Sequence, residues 1–160
     1  MSDLIIEERA WDDPAGAALR AAQEAELDAR YGGESHEPGD HPSAADVDVF
    51  LVATRAGAPV GCGALRRLDP SSAEIKRMYV VPAARGTGVA AAVLRALERR
   101  AVQLGWGTLR LETGTLQPDA RRFYEREGYH RIPRFGVYVG SELSVCYERA
   151  LGPGGGVGVV

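Results

Sequence analysis

The chain has 160 residues, 45% apolar and 26% charged, with a formal net charge of −3. That length supports one domain whose core needs no disulfide or metal, and those fractions exclude a disordered or fibrous protein. Cys62 and Cys146 lie in apolar, strand-like runs without CxxC or Cys/His spacing, so they read as core residues rather than as a metal or redox pair.

Leu4 to Arg9 alternates weakly and reads as a first strand. Met1 to Arg9 is charged and has no long apolar stretch, so no signal peptide or membrane span is expected and the cytoplasm is the default compartment. Pro14 opens an Ala-rich segment to about Arg30, with Leu19, Ala22, Glu26 and Leu27 near helical spacing. Residues 31 to 46 carry Gly32, Gly33, Pro38, Gly39 and Pro42 among acids and two histidines, His36 and His41. This is an unusually long loop, of the kind that often carries function. The first 48 residues hold 13 acids against three bases, and the remainder nine acids against 16 bases. Such asymmetry suits two oppositely charged ligands, or simply a solvated acidic face. The basic half lacks an aromatic-interleaved stripe, so no nucleic-acid partner is expected.

Three apolar runs follow, Val47 to Arg55, Val60 to Leu68 and Ala73 to Val81, separated by Gly57-Ala58-Pro59 and Asp69-Pro70-Ser71. They read as an antiparallel meander. Arg85-Gly86-Thr87-Gly88 leads into a strong helix, with Ala90, Leu94, Leu97, Ala101 and Leu104 on one face. Arg95, Glu98, Arg99 and Gln103 fall largely on the other side, and Gly105 and Gly107 end the helix. Leu109 to Thr113 is a short strand, and Pro118 to about Glu127 a helix closed by Gly128. Tyr129 to Ile132 and Leu143 to Leu151 are the last strand-like runs. The pattern implies an α+β domain over residues 1–151, a largely antiparallel sheet covered by helices, followed by a Gly-rich tail, 152–160.

The chemistry points to the turn before the second helix. First-turn amides lack partners inside a helix and sit at the positive end of its dipole, so an anion is held there if no side chain intervenes. Gly86 and Gly88 remove that block, and Arg85 adds a charge-assisted contact. A nucleotide-binding turn is the competing reading, although the spacing is neither GxGxxG nor a Walker loop.

Arg85-x-x-Gly88-x-Ala90, after a strand and a proline, resembles the coenzyme A signature of the GNAT superfamily of N-acetyltransferases. Leu109 to Thr113 followed by Gln117 to Tyr129 looks like the family's fifth strand and fourth helix. Phe135-Gly136-x-Tyr138 through Cys146 resembles a bacterial amine-acetyltransferase subgroup. The likeness covers residues 47 to 150 well and the first 46 loosely. It implies the acyl-CoA N-acyltransferase fold, a mostly antiparallel mixed sheet of about seven strands with helices on both faces. It also implies acetyl-CoA as donor and a small-molecule or peptide amine as acceptor. Relatives often dimerise, so it allows a homodimer.

Residue by residue, the resemblance puts the pantetheine arm against the backbone of Met78, Tyr79 and Val80. It puts the pyrophosphate on Arg85, Gly86, Thr87, Gly88, Val89 and Ala90. Gln117 stands where relatives often have an Asn that bonds the pantetheine, and Arg126 is a candidate for the 3′-phosphate or an exposed helix arginine. Amine attack on a thioester needs a base for the amine and a proton donor for the thiolate. Tyr124 matches the family's general acid, and a phenol with a pKa of about 10 suits a thiolate of similar basicity. Glu74 is the first choice of base, acting through water, with Glu112 or water alone as competitors. His36 and His41 rank lower, and nothing activates either cysteine as a nucleophile. The acidic first region suggests a cationic acceptor drawn in by Glu34 and Asp40 and walled by Tyr31, Phe135 and Tyr138. The competing function is a coenzyme A-binding regulator that keeps the cleft without turnover.

Overall fold

A computed structural model of the protein describes residues 3–32 and 43–152. In chain order the elements are β1 (Leu4–Glu8), α1 (Pro14–Arg30), β2 (Val49–Arg55), β3 (Ala58–Asp69), β4 (Ser72–Val80), α2 (Val89–Gln103), β5 (Thr108–Gly114), α3 (Pro118–Arg126), β6 (His130–Ile132) and β7 (Ser144–Ala150). Pro14 starts α1 at its first turn, and the Asp13 carboxylate caps it by accepting from the Gly16 amide at 2.9 Å. Ala56 and Gly57, both at positive φ, make the tight turn that joins β2 to β3.

The strands form one seven-stranded sheet in the order β1-β2-β3-β4-β5-β7-β6. Every neighbouring pair is antiparallel except β4 and β5, which are parallel. This is the mostly antiparallel mixed sheet expected from the sequence. The insertion of β7, the last strand, between β5 and β6 is a detail that periodicity did not specify.

β2 shows why helices lie on both faces. Val49, Leu51 and Ala53 pack into a cluster with Val93, Leu94 and Leu97 of α2, while Phe50 and Val52 pack with Leu19 of α1. Alternation sends successive side chains to opposite faces, so a strand covered twice is apolar throughout. Gly16 lets α1 approach closely, since a Cβ there would lie 2.3 Å from the Phe50 ring.

Two helical assignments need correction. Glu98, expected toward solvent, is 7% exposed and accepts hydrogen bonds from Tyr129 Oη (2.8 Å), Arg95 (2.5 Å) and Arg149 (2.9 Å). Leu104, expected on the packed face, lies past the end of α2 and is 40% exposed. Among the described residues no helix is long and apolar enough to cross a membrane.

Candidate active site

The site begins where β4 and β5 part. Their parallel ladder runs from Ser72–Thr108 to Ile75–Leu111 and stops there, while β5 continues beside β7 to Gly114–Ser144. On its other side β4 carries a bulge, where the register against β3 slips between Ala64–Lys76 and Cys62–Tyr79. Arg77 sits in the bulge at φ 58, a conformation that costs a non-glycine residue about 1 kcal/mol or more. The extra residue turns the end of β4 away from β5 and opens a wedge in the sheet.

A cleft of about 430 Å³ fills that wedge. Met78, Tyr79 and Val80 line it from β4, Gly86, Gly88, Val89, Ala90 and Ala91 from the turn and α2, Gln117 from the cap of α3, and Phe123, Tyr124 and Arg126 from α3 itself. Thr87 is not among the lining residues. Its hydroxyl donates to the Ala84 carbonyl at 2.5 Å and accepts from Arg55 at 3.1 Å, so it braces the turn from behind. Two carbonyls of the β4 residues that line the cleft already accept side-chain hydrogen bonds, Met78 from Gln23 (2.8 Å) and Val80 from Arg85 Nε (2.9 Å). Each keeps one acceptor position.

The turn leaves its backbone amides open. Gly86 and Gly88 have φ of 78° and 91°, and a Cβ on either would meet nothing within 4 Å. Among the described residues the amides of Gly86 to Ala91 donate to no backbone carbonyl. Such orphaned donors converge at the positive end of α2. This donor set fits a pyrophosphate. Arg85 lines the cleft too, but its Nη2 is paired with Glu26 of α1 at 2.8 Å, so it joins α1 to the turn.

A second recess of about 100 Å³ adjoins the first and shares Gln23, Leu27, Met78, Gln117, Ala120 and Tyr124 with it. Its own walls include Tyr31 at the end of α1, Lys76 and Arg77 on β4, and Glu112, Thr113 and Gly114 on β5. Tyr31 closes over Gly114, where a Cβ would fall 1.6 Å from the Tyr31 hydroxyl. That hydroxyl accepts from the Leu116 amide at 3.2 Å.

Tyr124 stands at the junction of the two recesses, 7% exposed and stacked edge-on against Phe123 and Tyr129. Among the described residues nothing hydrogen-bonds its hydroxyl. Burial raises its pKa above the ordinary tyrosine value. The phenol therefore keeps its proton at neutral pH, as a donor must.

The two candidate carboxylates are placed differently. Glu112 lines the smaller recess and accepts from Ser144 Oγ at 2.8 Å. Glu74 lines neither recess and is 0% exposed, not the solvent-edge carboxylate that its position at the start of a strand allows. Its Oε1 accepts from Arg66 at 2.6 Å and its Oε2 from Tyr138 Oη at 2.5 Å. Lys76 Nζ donates to the same Tyr138 hydroxyl at 2.9 Å.

Of the expected acceptor walls, Tyr31 lines the recess, whereas Tyr138 is 1% exposed, lies outside the lining and bonds the lining Lys76. Phe135 packs edge-on against Tyr138 at 5.3 Å. Glu34, Asp40, His36 and His41 lie outside the described residues. Cys62 and Cys146 are buried, and burial pushes the Cys62 thiol up to about 12 and raises that of Cys146, so neither is a ready nucleophile. Gln23 was not singled out from the sequence. The signal was present, since it lies four residues after the buried Leu19 and four before Leu27, on the inward face of α1.

Known proteins agree with this geometry. The Acetyltransferase (GNAT) family matches residues 16–129, and the chain belongs to it. It is 37% identical over 123 residues to a protein of Azospirillum brasilense named IAA acetyltransferase, which covers 76% of this chain and 80% of that one. A solved structure from Klebsiella pneumoniae, described as an acyl-CoA N-acyltransferase, superposes with a TM-score of 0.79 at 32% identity over 92% of this chain and 97% of that one. A GNAT acetyltransferase from Elizabethkingia anophelis with acetyl-CoA bound shares the fold, with a TM-score of 0.69 at 15% identity over 92% of this chain and 97% of that one. The protein is an acetyltransferase.

Proposed function

We propose that the protein transfers an acetyl group from acetyl-CoA to a primary amine by direct attack, with no acyl-enzyme. The observation that carries this reading is the pair of adjoining recesses with Tyr124 at their junction. The orphaned amides of Gly86 to Ala91 would hold the pyrophosphate. Met78, Tyr79, Val80 and Gln117 would line the pantetheine path. Bound there, acetyl-CoA supplies the activated acetyl thioester.

The chain's own groups then manage protons. An amine reaches the smaller recess as an ammonium and must lose a proton before it can attack. Glu112 faces that recess and takes the proton, directly or through one water. The Tyr124 hydroxyl holds a proton at the junction and delivers it to the departing sulfur. Glu74, enclosed by Arg66 and Tyr138, supports the recess from behind and is not assigned the base role.

The ammonium charge of the acceptor suits the acid-rich first region, although Glu24 pairs with Arg77 at 3.6 Å and Glu26 with Arg85, so those two acids are partly neutralised. The test is amine-dependent release of coenzyme A together with acetylated product by mass spectrometry. Tight acetyl-CoA binding with no product from any amine would support the regulator reading instead.

A further inference from the structure

The ladder that joins β4 to β5 ends at Ile75–Leu111, so Lys76 and Glu112 occupy the next facing positions, one on each side of the opening wedge. Neighbouring strands lie about 4.8 Å apart before they splay, so these two positions stay close. Arg77 follows Lys76 in the bulge, where β4 carries one residue more than β3 between Ala64–Lys76 and Cys62–Tyr79. A bulge interrupts the alternation of side chains. Lys76 and Arg77 both line the smaller recess, together with Glu112, and the two cations are only 7% and 9% exposed. Lys76 Nζ lies 3.8 Å from Glu74 Oε2, and Arg77 Nη1 lies 3.6 Å from Glu24 Oε2. Arg66 shares Glu74 from behind. Among the described residues these charges balance, Lys76, Arg77 and Arg66 against Glu112, Glu74 and Glu24.

An acceptor that arrives with an ammonium alone adds an uncompensated positive charge to this enclosed setting. A molecule that carries an ammonium and a carboxylate adds none. Resting on the amine-transfer reading above, we propose that the acceptor is a free α-amino acid. Its amine enters beside Glu112, and its carboxylate lies against Lys76 and Arg77. One carbon separates the two groups in that class, which matches the short span between facing strand positions. An ammonium offers three donors and a guanidinium five, so each cation can add a carboxylate to the contacts it already makes. The carboxylate stays out of the chemistry. A C–N bond forms and the C–S bond breaks. Of the two protons the ammonium gives up, one leaves to solvent through Glu112 and one ends on the coenzyme A thiol by way of Tyr124. A polyamine would bring a second ammonium to the two cations, and a peptide N-terminus would bring a neutral amide.

The test is a panel of the genetically encoded amino acids assayed with acetyl-CoA, the best of them set against its decarboxylated amine and its carboxamide. The amino acid should lead both in kcat/KM by about tenfold to hundredfold, mainly through KM, as charge-assisted contacts to a carboxylate would give. The carboxamide has the less basic amine and is more readily deprotonated, so a lead over it is not an effect of basicity. In Arg77→Gln the lead should shrink about tenfold. In Arg77→Lys most of it should return, while acetyl-CoA affinity holds in both. If circular dichroism shows that Arg77→Gln does not fold, the comparison on the wild type decides alone. A decarboxylated amine or carboxamide that equals or exceeds the amino acid overturns the inference and leaves amine transfer standing. A lead undiminished in folded Arg77→Gln takes the carboxylate away from Arg77 and also overturns it. If nothing turns over, calorimetric titration of the same compounds into the coenzyme A-loaded protein decides. Binding that needs the carboxylate sustains the amino-acid inference while the transfer reading falls, and binding indifferent to the carboxylate, or no binding, removes both.

Discussion

The Tyr138 hydroxyl donates a 2.5 Å hydrogen bond to Glu74 Oε2 and accepts one of 2.9 Å from Lys76 Nζ. A single phenol thus ties the turn after β6 to the middle of β4, with both partners buried. Glu74 is completed by Arg66, so removing its charge would leave the buried Lys76 and the partly exposed Arg66 facing a neutral group. Tyr138→Phe is expected to cost about 1–3 kcal/mol, and Glu74→Gln about 3 kcal/mol or more, read by urea unfolding. A Glu74→Gln protein of unchanged stability whose kcat collapses would make Glu74 the base after all.

Glu112→Gln keeps the shape of the side chain and an oxygen for Ser144, but not the basicity. It should lower kcat about 100-fold or more while the acetyl-CoA dissociation constant stays put. A fall of less than about threefold would return the base role to water.

Tyr124→Phe removes a hydroxyl that bonds no described residue, so the fold should lose little. The turnover rate should drop about 100-fold if that hydroxyl supplies the proton. Because burial raises its pKa, the group stays protonated beyond pH 10, and the wild-type rate should show no alkaline limb from this residue below that pH. An inflection between pH 8 and 9 that vanishes in the Phe variant would contradict the assignment.

Ala90→Glu tests the anion cradle without disturbing it. An acid in the first turn of a helix suits the dipole and adds about 0.3–1 kcal/mol of stability. The same acid should repel the pyrophosphate and weaken acetyl-CoA binding at least about tenfold by calorimetry, as removal of one charge-assisted contact would. S-acetylpantetheine, which lacks the pyrophosphate, should be unaffected as a donor. A substitution at Gly88 would be less clear, since φ of 91° strains any side chain placed there.

Alkaline stability follows from buried acids that hold their protons in the native state. The Cys62 thiol is pushed up to about 12 by burial from an ordinary 9.0, and burial also raises Tyr124 and Tyr129 above 10.0. Below the unfolded values both states are protonated and nothing is lost. Above them the unfolded chain ionises first, so stability falls as pH rises. Urea midpoints should decline from about pH 9, with a steeper fall above about pH 10 from the tyrosines. Cys62→Ala should lessen the early part of the decline, to which the buried Cys146 thiol also contributes, and keep the later one. An early decline equally steep in both proteins would assign it to other groups.

What was legible in the sequence was local. The open turn before α2 is a property of three consecutive backbone positions, so Gly86 and Gly88 disclose it without knowledge of the rest of the molecule. The sheet's strands announce themselves by apolar runs between turns. The carboxylates were harder to read because their surroundings come from far along the chain. Glu74 meets Tyr138 at a separation of 64 residues, and Glu98 meets Arg149 at 51. Helical spacing places a side chain on a face, but it does not say that Tyr129 will follow α3 back to cover that face. Tyr124 and Gln117, which line both recesses, were named through resemblance, whereas Gln23 is a single Gln in an Ala-rich helix and carries no motif of its own.

The one parallel pairing has a mechanical consequence. β1 to β4 form one antiparallel half of the sheet and β5 to β7 another, and within the sheet the parallel ladder from Ser72–Thr108 to Ile75–Leu111 joins them. The line between the halves is a seam, already unpicked beyond Ile75. Force or thermal fluctuation applied across the molecule should part it there first, and amides of β4 beyond the bulge should exchange with solvent sooner than those of β2 or β7. A ligand laid along the seam with its own amides would act as a clasp, and slowed exchange on both sides of it at once would be its signature.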